Sequence, residues 1–388
     1  MTLAVVLMLP VVATAGPGPV RSIVVFDSPA VNALASTHIK RLGGVKIKDL
    51  PMIDGVVVNL PSKAAERAVA GISGVKYVEP DLVIQALGKG GGGGGKPAPQ
   101  PPAQTIPWGV ARVNADAVWA SYTGDPVKVA VVDTGIDTSH PDLLGNLKGG
   151  MSAVSYTSSY NDDNGHGSHV AGTIAAVDNS VGVVGVAPAA DLYAVKVLDR
   201  RGSGYLSDIV EGLQWSVANG IDVVNMSLGT SAYSLAFDTA VQETIASGVV
   251  VVAAAGNSGP GASTVGYPAK FAGVIGVSAT DSSNNIASFS SRGAEVDLAA
   301  PGVSIYSTYK KKGYATLSGT SMASPHVAGV AALVLTAPIG ADDLDADGVW
   351  DPSEVELRLE RTAQDLGAAG FDTNYGNGLV RADLAVIP

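Results

Sequence analysis

Beyond residue 120 the chain alternates between short apolar runs and longer stretches in which apolar residues return at helical spacing. The runs at 127–133, 192–198, 221–227, 249–255 and 274–279 predict strands, and 166–177, 207–219, 234–247 and 324–335 predict helices. Strands this nearly continuous in apolar residues are buried on both faces, so the pattern predicts a doubly wound, mostly parallel α/β sheet covered by helices. Ligand sites in such sheets lie beyond the carboxyl ends of the strands. Upstream the pattern changes. Strand-like segments at 20–26, 45–47, 55–60 and 75–83 and helical segments at 30–42 and 62–71 give the order β-α-β-β-α-β, a small α+β ferredoxin-like unit.

The joints between these blocks are marked by composition. Residues 88–102 run Gly-Lys, six glycines, Lys and a Pro-rich end, which predicts a linker. The apolar run 3–12 is too short to span a bilayer and is followed by Ala13-Thr14-Ala15, so it predicts a secretory signal peptide removed after Ala15, although no Lys or Arg precedes it. The expected division is 1–15 signal peptide, 16–87 small unit, 88–102 linker and 103–388 main domain.

Charge and residue usage narrow the chemistry. With 24 Lys and Arg against 35 Asp and Glu the chain carries a formal charge of −11, which argues against nucleic acid as a partner. There is no cysteine, so thiol nucleophiles, disulfides and Cys-ligated zinc are excluded. Any imidazole base is one of five residues, His38, His140, His166, His169 or His326. Asp133 ends the first parallel strand, in Val131-Val-Asp-Thr-Gly-Ile-Asp137. His166 follows a glycine turn at a helix start, Asn257 follows the strand at 249–255, and Ser321 follows Gly319 just ahead of the 324–335 helix. A hydroxyl there faces the unpaired N–H groups of a helix start, which suit a developing oxyanion. Each residue alone has a plain reading, as a cap, a turn or a packed side chain. His166 and His169 also allow a metal-hydrolase reading, without the usual i, i+4 spacing or a general-base Glu.

Taken together, Asp-Thr-Gly at 133–135, His-Gly-Ser-His-Val-Ala-Gly-Thr at 166–173 and Gly-Thr-Ser-Met-Ala-Ser-Pro-His at 319–326 resemble the signatures of subtilisin-like serine proteases, in the same chain order. The resemblance covers nearly all of 103–388, and the unit at 16–87 is similar to the family's inhibitory propeptide. The segments Gln104-Thr-Ile-Pro-Trp-Gly109 and Tyr375-Gly-Asn-Gly-Leu-Val-Arg-Ala382 are similar to archaeal calcium-dependent members. The resemblance implies a secreted, monomeric endopeptidase acting on proteins and peptides, with Ser321 as nucleophile, His166 as base, Asp133 as its orienting acid and Asn257 as an oxyanion donor. It implies no stable membrane association. Substrate is expected as an added strand between Gly202-Ser203-Gly204 and Ser227-Leu228-Gly229, with Gly266 at the floor of the S1 pocket and Leu206 and Ile209 lining S4. Large apolar P1 and apolar P4 residues are expected, and the chain's own Ile84-Gln-Ala-Leu87 fits that preference. The remaining alternative is a catalytically silent binding protein of the same fold; no member of the triad is missing.

Two calcium sites are expected. The resemblance implies one from Gln104, Asp142, Asn179 and the carbonyls of Val177, Val181 and Val183. The other is read from spacing alone: Asp343, Asp345, Asp347, Val349, Asp351 and Glu354 stand at positions 1, 3, 5, 7, 9 and 12 of an EF-hand loop, with Gly348 at position 6. That loop is expected between two helices, with Pro352 unusual at position 10.

Overall fold

The computed structural model describes residues 18–88 and 102–387. The signal peptide expected at 1–15 and nearly all of the linker lie outside these residues. The chain divides into two compact units between Asp81 and Leu82. The boundary falls ahead of the linker because residues 83–86 pair with strands of the second unit.

The first unit comprises β1 (Val20–Phe26), α1 (Pro29–Arg41), β2 (Val45–Leu50), β3 (Gly55–Leu60), α2 (Lys63–Ala70) and β4 (Val75–Pro80). Its antiparallel sheet has the order β2-β3-β1-β4. Alternate residues Val24 and Phe26 of β1 and Val56, Val58 and Leu60 of β3 share one face and form a core with Ile39 and Val69 of the helices.

The second unit begins with β5 (Val83–Ala86) and α3 (Trp108–Arg112). It continues through β6 (Lys128–Asp133), β7 (Leu147–Ser152), α4 (His166–Ala175), β8 (Asp191–Lys196), β9 (Ser203–Tyr205) and α5 (Leu206–Ala218). Next come β10 (Val223–Met226), β11 (Leu228–Gly229), α6 (Leu235–Ala246), β12 (Val250–Ala254), β13 (Val274–Thr280) and β14 (Leu298–Pro301). A hairpin of β15 (Ile305–Tyr309) and β16 (Gly313–Leu317) precedes α7 (Thr320–Val334), α8 (Pro352–Arg361) and α9 (Ala382–Ala385). The predicted parallel sheet is present, seven strands in the order β14-β13-β12-β10-β6-β8-β7, every pair parallel. The first strand of the sheet, β6, lies inside it, and the chain later returns to its other side with β10, so the strand order reverses beside β6. Asp133 ends that strand, at the topological switch point where crevices form.

Helix α7 is buried along its whole length and packs on β10, β12, β13 and β14 and on α4. Its start differs from the sequence reading. Pro325 favours a helix beginning nearby, because proline suits the first turn, yet the helix begins at Thr320 and carries Pro325 inside. Proline has no N–H for the carbonyl four residues back. That carbonyl, of Ser321, accepts a hydrogen bond from Ser227 Oγ at 2.9 Å instead. Ser321 therefore sits in the first turn of α7 rather than ahead of it.

Candidate active site

Four element ends, those of β6, α4, α7 and β12, meet beyond the carboxyl edge of the sheet. β6 delivers Asp133, fully buried, whose two oxygens each lie 2.8 Å from His166 Nδ1. His166 opens α4 behind Gly165, whose φ of 112° favours glycine and where a side chain would strike the Tyr309 ring. Nδ1–H donates to the carboxylate, so in the neutral ring Nε2 is the basic nitrogen. Burial pulls the His166 pKa down, but the charge and hydrogen bond of Asp133, and then the charge of Asp162, outweigh it, and the net shift is upward.

Ser321 Oγ donates to the Ser227 carbonyl at 3.0 Å, and His166 Nε2 has no hydrogen-bond partner among the described residues. The expected bond between these two groups is therefore not made. Gly88 of the chain itself packs on that edge of the imidazole. Asn257 follows β12, and its Oδ1 accepts from Thr320 N at 3.0 Å and Thr320 Oγ1 at 3.1 Å. The amide is thereby turned so that Nδ2 donates to the Leu87 carbonyl.

The chain's own segment fills the cleft. β5 is the middle strand of a three-stranded sheet, antiparallel to β9 and β11, with Gln85 opposite Ser203, Ile84 opposite Gly204, Ala86 opposite Leu228 and Gln85 also opposite Gly229. Ala86 N donates to Gly202 O at 2.9 Å, and Leu87 N to Ser227 O at 3.1 Å. The two expected backbone edges thus grip an extended peptide by main-chain bonds. Ile84 is fully buried, as are Leu206 and Ile209 on α5. Leu87 borders a cavity of about 350 Å³ lined by Gly229, Thr230, Gly256, Asn257, Thr264 and Gly266. Gly266 does more than leave depth: a Cβ there would come within 2.9 Å of the Thr230 carbonyl, so glycine allows the backbone approach that shapes the wall.

His169 and His326 do not enter the site. His169 Nε2 faces the Ile305 and Ala315 carbonyls at 3.0 and 3.2 Å, and burial lowers its pKa to about 3. His326 Nδ1 faces the Met322 carbonyl at 2.8 Å, and burial lowers its pKa to about 4. With His166 Nδ1 held by Asp133, His166 and His169 do not converge as a metal pair. Sequence reasoning placed Ser227 on a substrate edge but missed its carbonyl as the partner of Ser321 Oγ, and it missed the roles of Thr320, Thr134 and Asp162. Nothing in composition or spacing marks them, because they act through backbone atoms or through side chains of residue types that recur along the chain.

Both expected cation loops have oxygen donors, which suit calcium. Asp142 is buried, its Oδ1 accepting from Asn179 Nδ2 at 3.2 Å and its Oδ2 from Val183 N at 2.9 Å and Tyr314 OH at 3.0 Å. Gln104 Oε1 accepts from Asn179 N at 2.7 Å, and Gln104 N donates to Ser180 O at 3.1 Å. Gly182 makes room for the carboxylate, since a Cβ there would strike Asp142 Oδ2. The loop from Val177 through Val181 to Val183 thus encloses Asp142 with Gln104 docked on it. In the second loop, carboxylate oxygens of Asp343, Asp345 and Glu354 lie within 4.8 Å of one another, a like-charge convergence that a cation would relieve. Asp347 Oδ1 accepts from Val349 N at 2.7 Å, and Gly348 has φ 79° at the sharp turn. The flanks differ from the expectation. A single 3-10 turn, Gly340–Asp342, precedes the loop in place of a helix, and α7 ends well before it at Val334. Pro352 is the first residue of α8, where proline is favoured, and Asp351 caps that helix.

A doubly wound parallel α/β domain, with an extended peptide clamped at its strand ends beside a serine and an Asp–His pair, defines a class of peptide-cleaving hydrolases. The Subtilase family matches residues 124–378. The chain is 46% identical over 351 residues to Subtilisin E of Bacillus subtilis (strain 168), covering 89% of this chain and 84% of that protein. It is 53% identical over 286 residues to Subtilisin DY of Bacillus licheniformis and 50% identical over 284 residues to Subtilisin Savinase of Lederbergia lenta, covering in each case 73% of this chain and 99% of the relative. The chain belongs to the subtilase family and is a serine endopeptidase.

Proposed function

We infer that the chain is the self-processing zymogen of a secreted, calcium-stabilised endopeptidase, in which residues 16–87 serve as an intramolecular inhibitor and folding aid. The observation that carries this reading is the course of residues 83–88 through the cleft, with the Leu87 carbonyl on the Asn257 amide and Gly88 against His166. The Leu87–Gly88 peptide bond lies where a substrate bond would be cut.

The steps follow from the groups in place. Ser321 Oγ leaves its bond to Ser227 O, gives its proton to His166 Nε2 and bonds to the Leu87 carbonyl carbon. The negative oxygen that forms is met by Asn257 Nδ2 and the Ser321 N–H. The C–N bond to Gly88 breaks as His166 returns the proton to the Gly88 nitrogen. Water then repeats the cycle on the acyl-enzyme, and Asp133 steadies the imidazolium throughout. The base must be neutral, so activity rises as pH climbs through the His166 pKa, which lies above the ordinary value of 6.5.

The same strand defines the preference, with a large apolar P1 residue at the Leu87 cavity and an apolar P4 residue at Ile84. Calcium in the 177–183 loop would be held by Gln104, Asp142, Asn179 and the three valine carbonyls, and in the 343–354 loop by its carboxylates and the Val349 carbonyl. The ions would contribute stability and take no part in bond cleavage. Among the described residues no helix is long and apolar enough to cross a membrane. Wild type and Ser321→Ala, expressed side by side and weighed by intact mass, test the reading: wild type is expected to lose its N-terminal part at Leu87–Gly88 and the variant to stay whole. Processing of the variant would overturn it.

A further inference from the structure

Asp162 takes part in none of these steps, yet it is built into the site. It lies in the turn ahead of α4, is 4% exposed, and gathers five donors. Oδ1 accepts from Thr134 Oγ1 at 2.9 Å, Asn164 N at 2.9 Å and Gly165 N at 2.8 Å. Oδ2 accepts from Ser168 N at 2.9 Å and Ser168 Oγ at 2.6 Å. A helix cap would need only the donors of its own first turn. Here one donor, Thr134, comes from the end of β6, next to Asp133. Thr134 Oγ1 in turn accepts from Gly167 N at 2.9 Å, and Ser168 Oγ accepts from Asp137 N at 2.9 Å. One carboxylate therefore laces the strand end to the helix start. Burial raises its pKa above the ordinary carboxylate value. Three of its partners are backbone N–H groups, which only donate, so it serves them as an acceptor.

We propose that Asp162 is a positioning residue of the peptidase reaction, holding the strand end that bears Asp133 against the helix start that bears His166 and setting a second negative charge beside the imidazolium. The proposal rests on the reading of Asp133 and His166 given above. The groups around this point are few. On α4, His169 is neutral. From the β15–β16 hairpin, Tyr309 stays protonated, its pKa raised by burial and by the Asp162 charge. Lys196 on β8 spends its ammonium on Thr134 O, Leu198 O and Asp163 Oδ1, and Lys310 Nζ donates to Asp163 O. Arg200 and Arg201 border the open side of the imidazole. The two anions that raise the His166 pKa are Asp133 and Asp162.

Asp162→Asn removes the charge at nearly constant shape, and its amide nitrogen cannot accept from Ser168 N. The imidazolium loses stabilisation, the His166 pKa falls, and the neutral base persists to lower pH. The test expresses each variant as the full chain and assays the matured enzyme on a chromogenic peptide with Leu at P1. For Asp162→Asn, kcat is expected to fall by about tenfold to a hundredfold with KM nearly unchanged. The acid limb of kcat/KM should move to lower pH. Thr134→Val cuts one lace but keeps the charge, so kcat falls while the acid limb stays. A purely structural role would lower the melting temperature of Asp162→Asn and leave the limb in place, which overturns the proposal. Should Asp162→Asn fail to mature, Thr134→Val and Ser168→Ala take its place, and unchanged kcat in both overturns it. His166→Ala separates the two levels. Hydrolysis retained there removes the reading beneath; loss there with wild-type behaviour in Asp162→Asn removes the proposal alone.

Discussion

Gly88 faces the imidazole of His166 without a side chain, and a Cβ there would lie 2.7 Å from Cδ2 and 2.8 Å from Nε2. The ring cannot swing aside freely, because Nδ1 is tied to Asp133. Gly88→Val is therefore expected to slow self-cleavage at Leu87–Gly88 by about a hundredfold, read by intact mass over time; processing at the wild-type rate would contradict the contact. Asn257→Ala removes the amide that meets the Leu87 carbonyl. Its expected cost in kcat is about a hundredfold to a thousandfold, a range that comes from the oxyanion amide of subtilisin itself. At this scale the sequence was legible where a residue stands in a recognisable motif at an element end, as with Asp133, His166 and Ser321. It was silent where a common residue acts on another. Thr320 turns the Asn257 amide, and Asp162 ties Thr134 to Ser168, through hydrogen bonds that span 63, 28 and 6 positions of the chain. No periodicity records such contacts.

Among the elements, the five predicted strands and three of the four predicted helices of the parallel α/β domain appear within a residue or two of their sequence limits, because apolar runs between turn residues leave little choice of period. The misses have physical causes. β7 holds Gly149 and Gly150, and the β15–β16 hairpin joins through Lys310, Lys311 and Lys312, so neither reads as apolar. α7 starts early because Ser227 Oγ replaces the N–H that Pro325 lacks. The sharp turn at Gly348 in the 343–354 loop was legible from spacing, but the lack of a helix ahead of it was not. In calcium the loop is expected to add to the melting temperature. Asp343→Asn combined with Glu354→Gln should lose that part, about 2.7 kcal/mol at calcium a hundredfold above Kd, in calcium-against-EDTA scanning calorimetry. An undiminished calcium shift in the double variant would show that this loop binds no ion.

On the scale of the whole molecule, the uncut chain already has Gln104 docked on the 177–183 loop while Leu87 occupies the cleft. The 15 residues at 88–102 reach about 50 Å when extended, enough chain to serve both places at once. The Ser321→Ala precursor is therefore expected to bind calcium at that loop before any cleavage. Isothermal titration should find one site fewer once Gln104→Ala and Asp142→Ala are added, and an equal count in both would refute early binding. The clamped strand carries a further consequence, for time. The bonds from Ala86 N to Gly202 O and from Leu87 N to Ser227 O, and the pairing of Gln85 with Ser203, all lie on the acyl side of the bond that breaks. On the proposed reading, cleavage at Leu87–Gly88 would leave them intact, so the first product is expected to stay seated where the next substrate must go. Freshly processed enzyme should show a lag. The first molecules to shed the cut segment digest it from the others, and a trace of active enzyme added at the outset shortens the wait.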